Sequence, residues 1–147
     1  MTGLGLPRPI NPRVLVERFY GEVWNRGDEG LARVILDPKF SFRGSLGVER
    51  TGIEEFLHYL RSVRAALADY RCVIDDLVTT SSRAAARLTF TGVHQGVFFG
   101  VPASSRVITW VGAAFFTIAR NRIVRLWVIG DVDAVKRQLA AVGGTPF

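Results

Sequence analysis

The order of patterns along this sequence predicts an α+β domain, a curved antiparallel sheet packed against N-terminal helices with a pocket inside. Two observations carry that reading. Apolar residues recur at three and four positions through the first half, then give way to long alternating runs between Tyr70 and Asp131, and a short helical pattern closes the chain. A long antiparallel sheet that twists over helices leaves an open-ended cone, a natural small-molecule pocket. With 147 residues, 48% hydrophobic and 22% charged, the chain fills one such domain, 1–147, and has no room for two.

Residues 1–10 read as a Gly/Pro-rich arm and 142–147 as a tail, both expected to be flexible. Asn11-Pro12 is a helix cap followed by proline at the first helical position, where its missing N–H costs nothing. The helix runs to about Arg26, with Leu15, Val16, Phe19, Tyr20, Val23 and Trp24 as a wide apolar stripe. Gly27 ends it, and Asp28 caps a shorter helix that Asp37-Pro38 stops. A short strand over 39–43 and a loop over 44–47 follow. Thr51-Gly52-Ile53-Glu54 has capping-box spacing and opens a third helix to about Ala68, with Phe56, Leu57, Leu60 and Val63 inward and His58 outward. Strands are expected over 70–80 and 83–97, then as a pair within 106–133 that turns at Ala119-Arg120-Asn121-Arg122. A closing helix over 133–141 turns Val135 and Leu139 inward.

The last strand pair is apolar on both faces, which implies cover on both: helices on one side, a second subunit on the other. By alternation Ile123, Arg125, Trp127, Ile129 and Asp131 share one face, and Val124, Leu126, Val128 and Gly130 the other. A homodimer through the outer sheet face is therefore expected, covering Val111, Ala113, Phe115, Val124, Leu126 and Val128. The formal charge is +6, but the arginines are scattered among acids with no basic run of five, so no nucleic-acid partner is expected. No apolar run approaches the roughly 20 residues of a bilayer span, and the N-terminus lacks a signal pattern, so no membrane partner and a cytoplasmic location are expected. The single cysteine, Cys72, excludes an intrachain disulfide and reads as a buried structural residue. His58 and His94 have no second ligand at metal-site spacing, so no metal site is expected.

The segments FYGEVWNRGD (19–28), FTGVHQGVFFGVP (90–102) and RVITWVGAAFFTIARNRIVRLWVIGDVDAVKRQL (106–139) resemble the SnoaL-like polyketide cyclases, or ester cyclases, of the NTF2-like cone-fold superfamily. The most specific pieces are T-G-x-H-x-G-x-F-F-G-x-P and W-x-x-x-D with Q-L seven residues on, and the likeness spans about 11–141. The resemblance implies the NTF2-like cone and a reaction without cofactor. In it an aspartate takes a proton from an activated carbon of an aromatic polyketide ester, and the enolate closes a ring by intramolecular aldol condensation. The matching position is Asp131. The same cone also serves isomerases, dehydratases, epoxide hydrolases and non-enzymatic binding modules, so it does not fix a reaction.

The residues themselves allow that chemistry. Trp127 and Ile129, on the face of Asp131, would give it an apolar wall that disfavours a charged carboxylate and suits it to take up a proton. Its bland alternative is to cap the last helix, although Asp133 is the better cap on spacing. His94 is either a polar group at the pocket mouth or a brace for its loop. Tyr20, Trp24, Phe42, Phe116 and Trp127 could line the cavity or pack the core. Arg125, and Arg87 likewise, could hold a substrate oxyanion if turned inward. The expected partner is an apolar, carbonyl-bearing small molecule, turned over at Asp131 or merely bound. An isomerase or hydrolase would need a further acid, Asp75 or Asp76, directed inward.

Overall fold

The computed structural model describes residues 9–45 and 48–140, so most of both expected tails and part of the 44–47 loop lie outside the described residues. Helix α1 (Pro12–Arg18) opens with the Asn11 side chain accepting from the Arg13 N–H and with Pro12 in the first turn. It widens into a π-helical segment, Phe19–Trp24, whose broader turn sets Phe19, Tyr20, Val23 and Trp24 all in the interior. Gly27, at φ 70°, ends the helix in a left-handed step that suits glycine. Asp28 then caps α2 (Glu29–Ile35) by accepting from the Leu31 N–H. Strand β1 (Leu36–Arg43) follows without a loop, and β2 (Glu49–Thr51) pairs with it. The expected capping box does not form: Thr51 is paired with Ser41 in the sheet, and α3 (Ile53–Ala66) starts from Gly52 with no side-chain cap.

Strands β3 (Leu67–Thr79), β4 (Arg83–His94), β5 (Val107–Ala119) and β6 (Arg122–Gly130) complete a sheet of order β2-β1-β6-β5-β4-β3. All neighbours are antiparallel except β1 and β6, so the sheet is mixed, where the sequence led us to expect an antiparallel one. Helix α4 (Val132–Ala140) closes the described chain. The α+β class is the expected one. Two extra residues on β3, one at Asp69 with φ 53° and one between Ile74 and Asp76, bend that strand and curve the sheet. Strand β3 is an edge, and at Cys72 both backbone groups are taken by one side chain: Asn25 donates to Cys72 O at 3.0 Å and accepts from Cys72 N–H at 2.7 Å.

A third bulge matters most for function. Thr117 pairs with Arg125 while Ile118 pairs with Ile123, leaving Val124 as an extra residue on β6. The alternation therefore slips by one residue there. Ile123 is buried, but beyond the bulge it is Leu126 and Val128 that face the helices, while Arg125, Trp127 and Ile129 are exposed on the outer face. The core lies between the inner face and the helices, centred on Phe19, whose ring meets those of Phe56 at 5.5 Å, Phe116 at 5.7 Å and Phe40 at 6.5 Å. Each such ring removed from water contributes about 2–3 kcal/mol. No described helix is long and apolar enough to cross a membrane.

Candidate functional site

Where the inner face of the sheet spreads from the helices it leaves a hollow of about 70 Å³. Tyr20 and Trp24 reach it from the π-helical segment, Phe42 from β1, and Phe56, Tyr59 and Val63 from α3 at the three-and-four spacing of one helix face. Tyr70, Phe90 and Trp110 stand on β3, β4 and β5; Leu126 and Val128 on β6; Phe98 and Phe99 come from the loop after β4. The rings interlock, with Trp24 edge-on to Phe56 at 5.7 Å and Phe90 stacked on Trp110 at 5.1 Å. Among the described residues no charged side chain lines the space. Two glycines let polar atoms come close to the backbone at its wall. A Cβ at Gly44 would lie 2.8 Å from the Tyr59 hydroxyl, and one at Gly130 would lie 2.5 Å from the Ser45 hydroxyl.

All three tyrosines of the chain line the hollow. None of their hydroxyls has a hydrogen-bond partner among the described residues, and the one enclosed side-chain oxygen left unpartnered there belongs to Glu22. The tyrosine oxygens are thus not sealed into the core but open to the hollow. Burial pushes Tyr20 and Tyr70 well above the usual 10.0, with the neighbouring Cys72 thiol and tyrosine hydroxyls adding to the effect. Tyr59 is also raised by burial, opposed by Arg50, whose guanidinium lies 5.7 Å from its ring centre. All three therefore remain neutral O–H donors at ordinary pH. Cys72 is buried, as expected, and burial raises its thiol far from the reactive range. Among the described residues no group of three or more His, Cys, Asp or Glu side chains gathers as a metal site requires.

Of the residues singled out from sequence, Tyr20, Trp24 and Phe42 line the hollow. Phe116 lies behind the wall, fully buried and edge-on to Tyr20 at 5.9 Å. Trp127, a candidate lining residue, and Arg125, a candidate for the substrate oxyanion only if turned inward, both face outward, because the Val124 bulge exchanges the two faces of β6. The Arg43 guanidinium sits 4.8 Å above the Trp127 ring out there. Asp131 does share a side with Trp127 and Ile129, but that side is the outer one: it is exposed and borders a shallow groove with Arg87, Val111 and Ile129. Its carboxylate accepts from the Ala134 N–H at 3.0 Å and so caps α4, a task the sequence assigned to Asp133, which instead pairs with Arg137. Asp75 and Asp76 are exposed.

His94 is fully buried and does not line the hollow. Its Nε2–H donates to the Val101 carbonyl at 3.1 Å, which leaves Nδ1 to accept from the Ser104 hydroxyl at 2.9 Å. Its own carbonyl accepts from the Ser104 and Ser105 N–H groups. The ring braces the loop that carries Phe98 and Phe99. Gln138, the glutamine of the Q-L pair, clamps α4 to β5 by accepting from Thr109 N–H at 2.9 Å and donating to Thr109 O at 2.7 Å. Sequence reasoning missed Tyr59, Tyr70 and Trp110 as wall residues. The signal for Tyr59 was available in its spacing from Phe56 and Val63.

Residues 14–139 match the family model of the SnoaL-like polyketide cyclases. Similar solved structures include one from Jannaschia sp. CCS1 described as a SnoaL-like polyketide cyclase, with TM-score 0.81, 22% identity, and coverage of 97% of this chain and 100% of that one. TsrD from Streptomyces laurentii superposes with TM-score 0.78 at 29% identity over 93% of this chain and 99% of its own. IdmH from Streptomyces antibioticus, described as a polyketide cyclase, gives TM-score 0.78 at 25% identity over 88% and 98%. None of the curated proteins matches the chain in sequence. The first likeness, at its low identity, speaks for the fold, and that fold is the NTF2-like cone.

Proposed function

Since the chain belongs to the SnoaL-like polyketide cyclase family, we propose that it holds an apolar, carbonyl-bearing small molecule of polyketide type in its aromatic hollow. The observation that carries this reading is a space walled, among the described residues, by aromatic and aliphatic side chains with no charge. At about 70 Å³ the hollow is small beside the roughly 300–1,000 Å³ of drug-sized ligand pockets. It is also below the roughly 150 Å³ of a cavity that admits benzene, so even a single-ring ligand requires the aromatic side chains at its wall to move apart. Binding is better supported than turnover at Asp131, because that carboxylate is exposed and engaged with the Ala134 N–H. Ring closure with Asp131 as base would require it to leave the cap and pass to the other side of β6.

The outer face supports a second part of the proposal, a homodimer. Val111, Phe115, Trp127 and Ile129 are each 40% exposed or more there, an apolar patch of the kind that marks an interface.

Calorimetric titration with acetophenone tests the binding reading. One saturable site of about millimolar affinity or tighter is expected, and Val128→Trp, which fills the hollow, should abolish it. Absence of saturation in the folded protein would remove the reading.

A further inference from the structure

We propose that Tyr20, Tyr59 and Tyr70 form a selecting triad that takes an uncharged ring compound by its carbonyl or hydroxyl oxygens and turns away carboxylates. The inference rests on the hollow being a ligand site and adds what that site recognises. Three phenols stand on the wall of an apolar hollow with no hydrogen-bond partner among the described residues, so their donors are left to whatever enters it. Phenylalanine fills the same space without an unpaired donor, and the chain uses it at 10 positions. All three reach the same hollow from different elements, Tyr20 from the π-helical segment, Tyr59 from α3 and Tyr70 from β3. Between Tyr59 and Tyr70 stands the Trp24 ring, 6.0 Å from one and 5.2 Å from the other, a flat surface beside the donors.

The wall is made to leave one of these donors room. Gly44 lacks the Cβ that would meet the Tyr59 hydroxyl at 2.8 Å. What the hollow lacks is equally selective, since no arginine, lysine or histidine among the described residues lines it. A carboxylate entering such a space loses its strong hydration and finds neutral O–H donors but no cation to offset that loss, whereas a ketone, ester or phenol loses far less and gains the same donors.

Calorimetry with three probes of similar shape, acetophenone, cumene and benzoate, measured at pH 8, tests the triad. Acetophenone should bind about tenfold more tightly than cumene, and benzoate most weakly. At least two of the variants Y20F, Y59F and Y70F should each weaken acetophenone about fivefold, the worth of one neutral hydrogen bond, while leaving cumene within about twofold. Their melting temperatures should equal or exceed that of the unsubstituted chain, because no protein bond is lost; a fall in all three would make the hydroxyls structural and overturn the proposal. Cumene binding as tightly as acetophenone, or benzoate binding best, would end the triad while leaving the hollow a ligand site. Failure of all three probes would end both.

Discussion

The Asp131 carboxylate accepts from the Ala134 N–H, so its removal has a consequence for α4 whatever the ligand does. Asp131→Ala should cost about 1 kcal/mol and lower Tm by about 2–4 °C, whereas Asp131→Asn, still a good cap, should melt within about a degree of the unsubstituted protein. Acetophenone affinity should be unchanged in both, and a tenfold loss in Asp131→Asn would return the carboxylate to the site. The spacing of the sequence pointed to Asp133 as the cap, and nothing local contradicted it; which of the two serves depends on where β6 lets go of β5, a register property. The tyrosines give a second test at this scale. Their folded values lie above the unfolded 10.0, so as pH rises past 10 the unfolded chain releases protons that the folded one keeps, and stability falls there. Since the chain has only these three tyrosines, ultraviolet titration should show a single phenolate step coincident with alkaline unfolding. An earlier step near pH 10 in the folded protein would contradict their enclosure.

At the scale of elements, helix faces were legible, and strand faces were legible only where no bulge intervened. The three-and-four periodicity of the first helix and of α3 put Tyr20, Trp24 and Phe56 inward correctly, although Tyr20 and Trp24 lie in the π-helical segment, since a helix face survives small irregularities. Period-two alternation has no such tolerance: one extra residue, Val124, sends Trp127 to the side opposite the pocket and takes Arg125, whose facing the sequence left open, with it. A β-branched residue in an apolar run carries no mark of a bulge. The clasp of Asn25 on both backbone groups of Cys72 was equally hidden, because it joins residues far apart in sequence. Asn25→Ala should leave those two edge groups unpaired and cost about 2 kcal/mol, with faster amide exchange at Cys72 as the measurement. Helices α2 and α3 are tied by the ion pairs Glu29–Arg61 and Glu54–Arg33, which hold both carboxyls below the usual 4.5. With folded values depressed, their contribution is present above pH 4.5 and lost as pH falls through those values. Tm should stay flat from pH 7 to about 5 and decline below. Because the pairs are exposed, the E29Q/E54Q variant should remove only a small part of that decline, and high salt should mask it.

For the molecule as a whole, the α+β class was legible because the switch from helical to alternating periodicity is a property of long stretches. The parallel contact of β1 with β6 was not, since it joins strands at opposite ends of the chain. The expectation of a covered outer face followed from apolar character on both sides of β5 and β6, and it survives the bulge with different members. On β5 the outward Val111 and Phe115 are as expected; on β6 Leu126 and Val128 give way to Trp127 and Ile129. The exchange keeps the face apolar and adds Arg87 and Asp131 beside it, opposite charges that a two-fold axis could set against each other. Sedimentation at micromolar concentration should therefore report a dimer. The double substitution Trp127→Glu/Ile129→Glu should yield a folded monomer, because both side chains are 40% exposed or more in the isolated chain and neither supports the core. It should also leave acetophenone binding intact, since the hollow lies on the other side of the sheet. A monomer before substitution would remove the dimer, and loss of binding in the monomer would instead mean that pairing holds the hollow open.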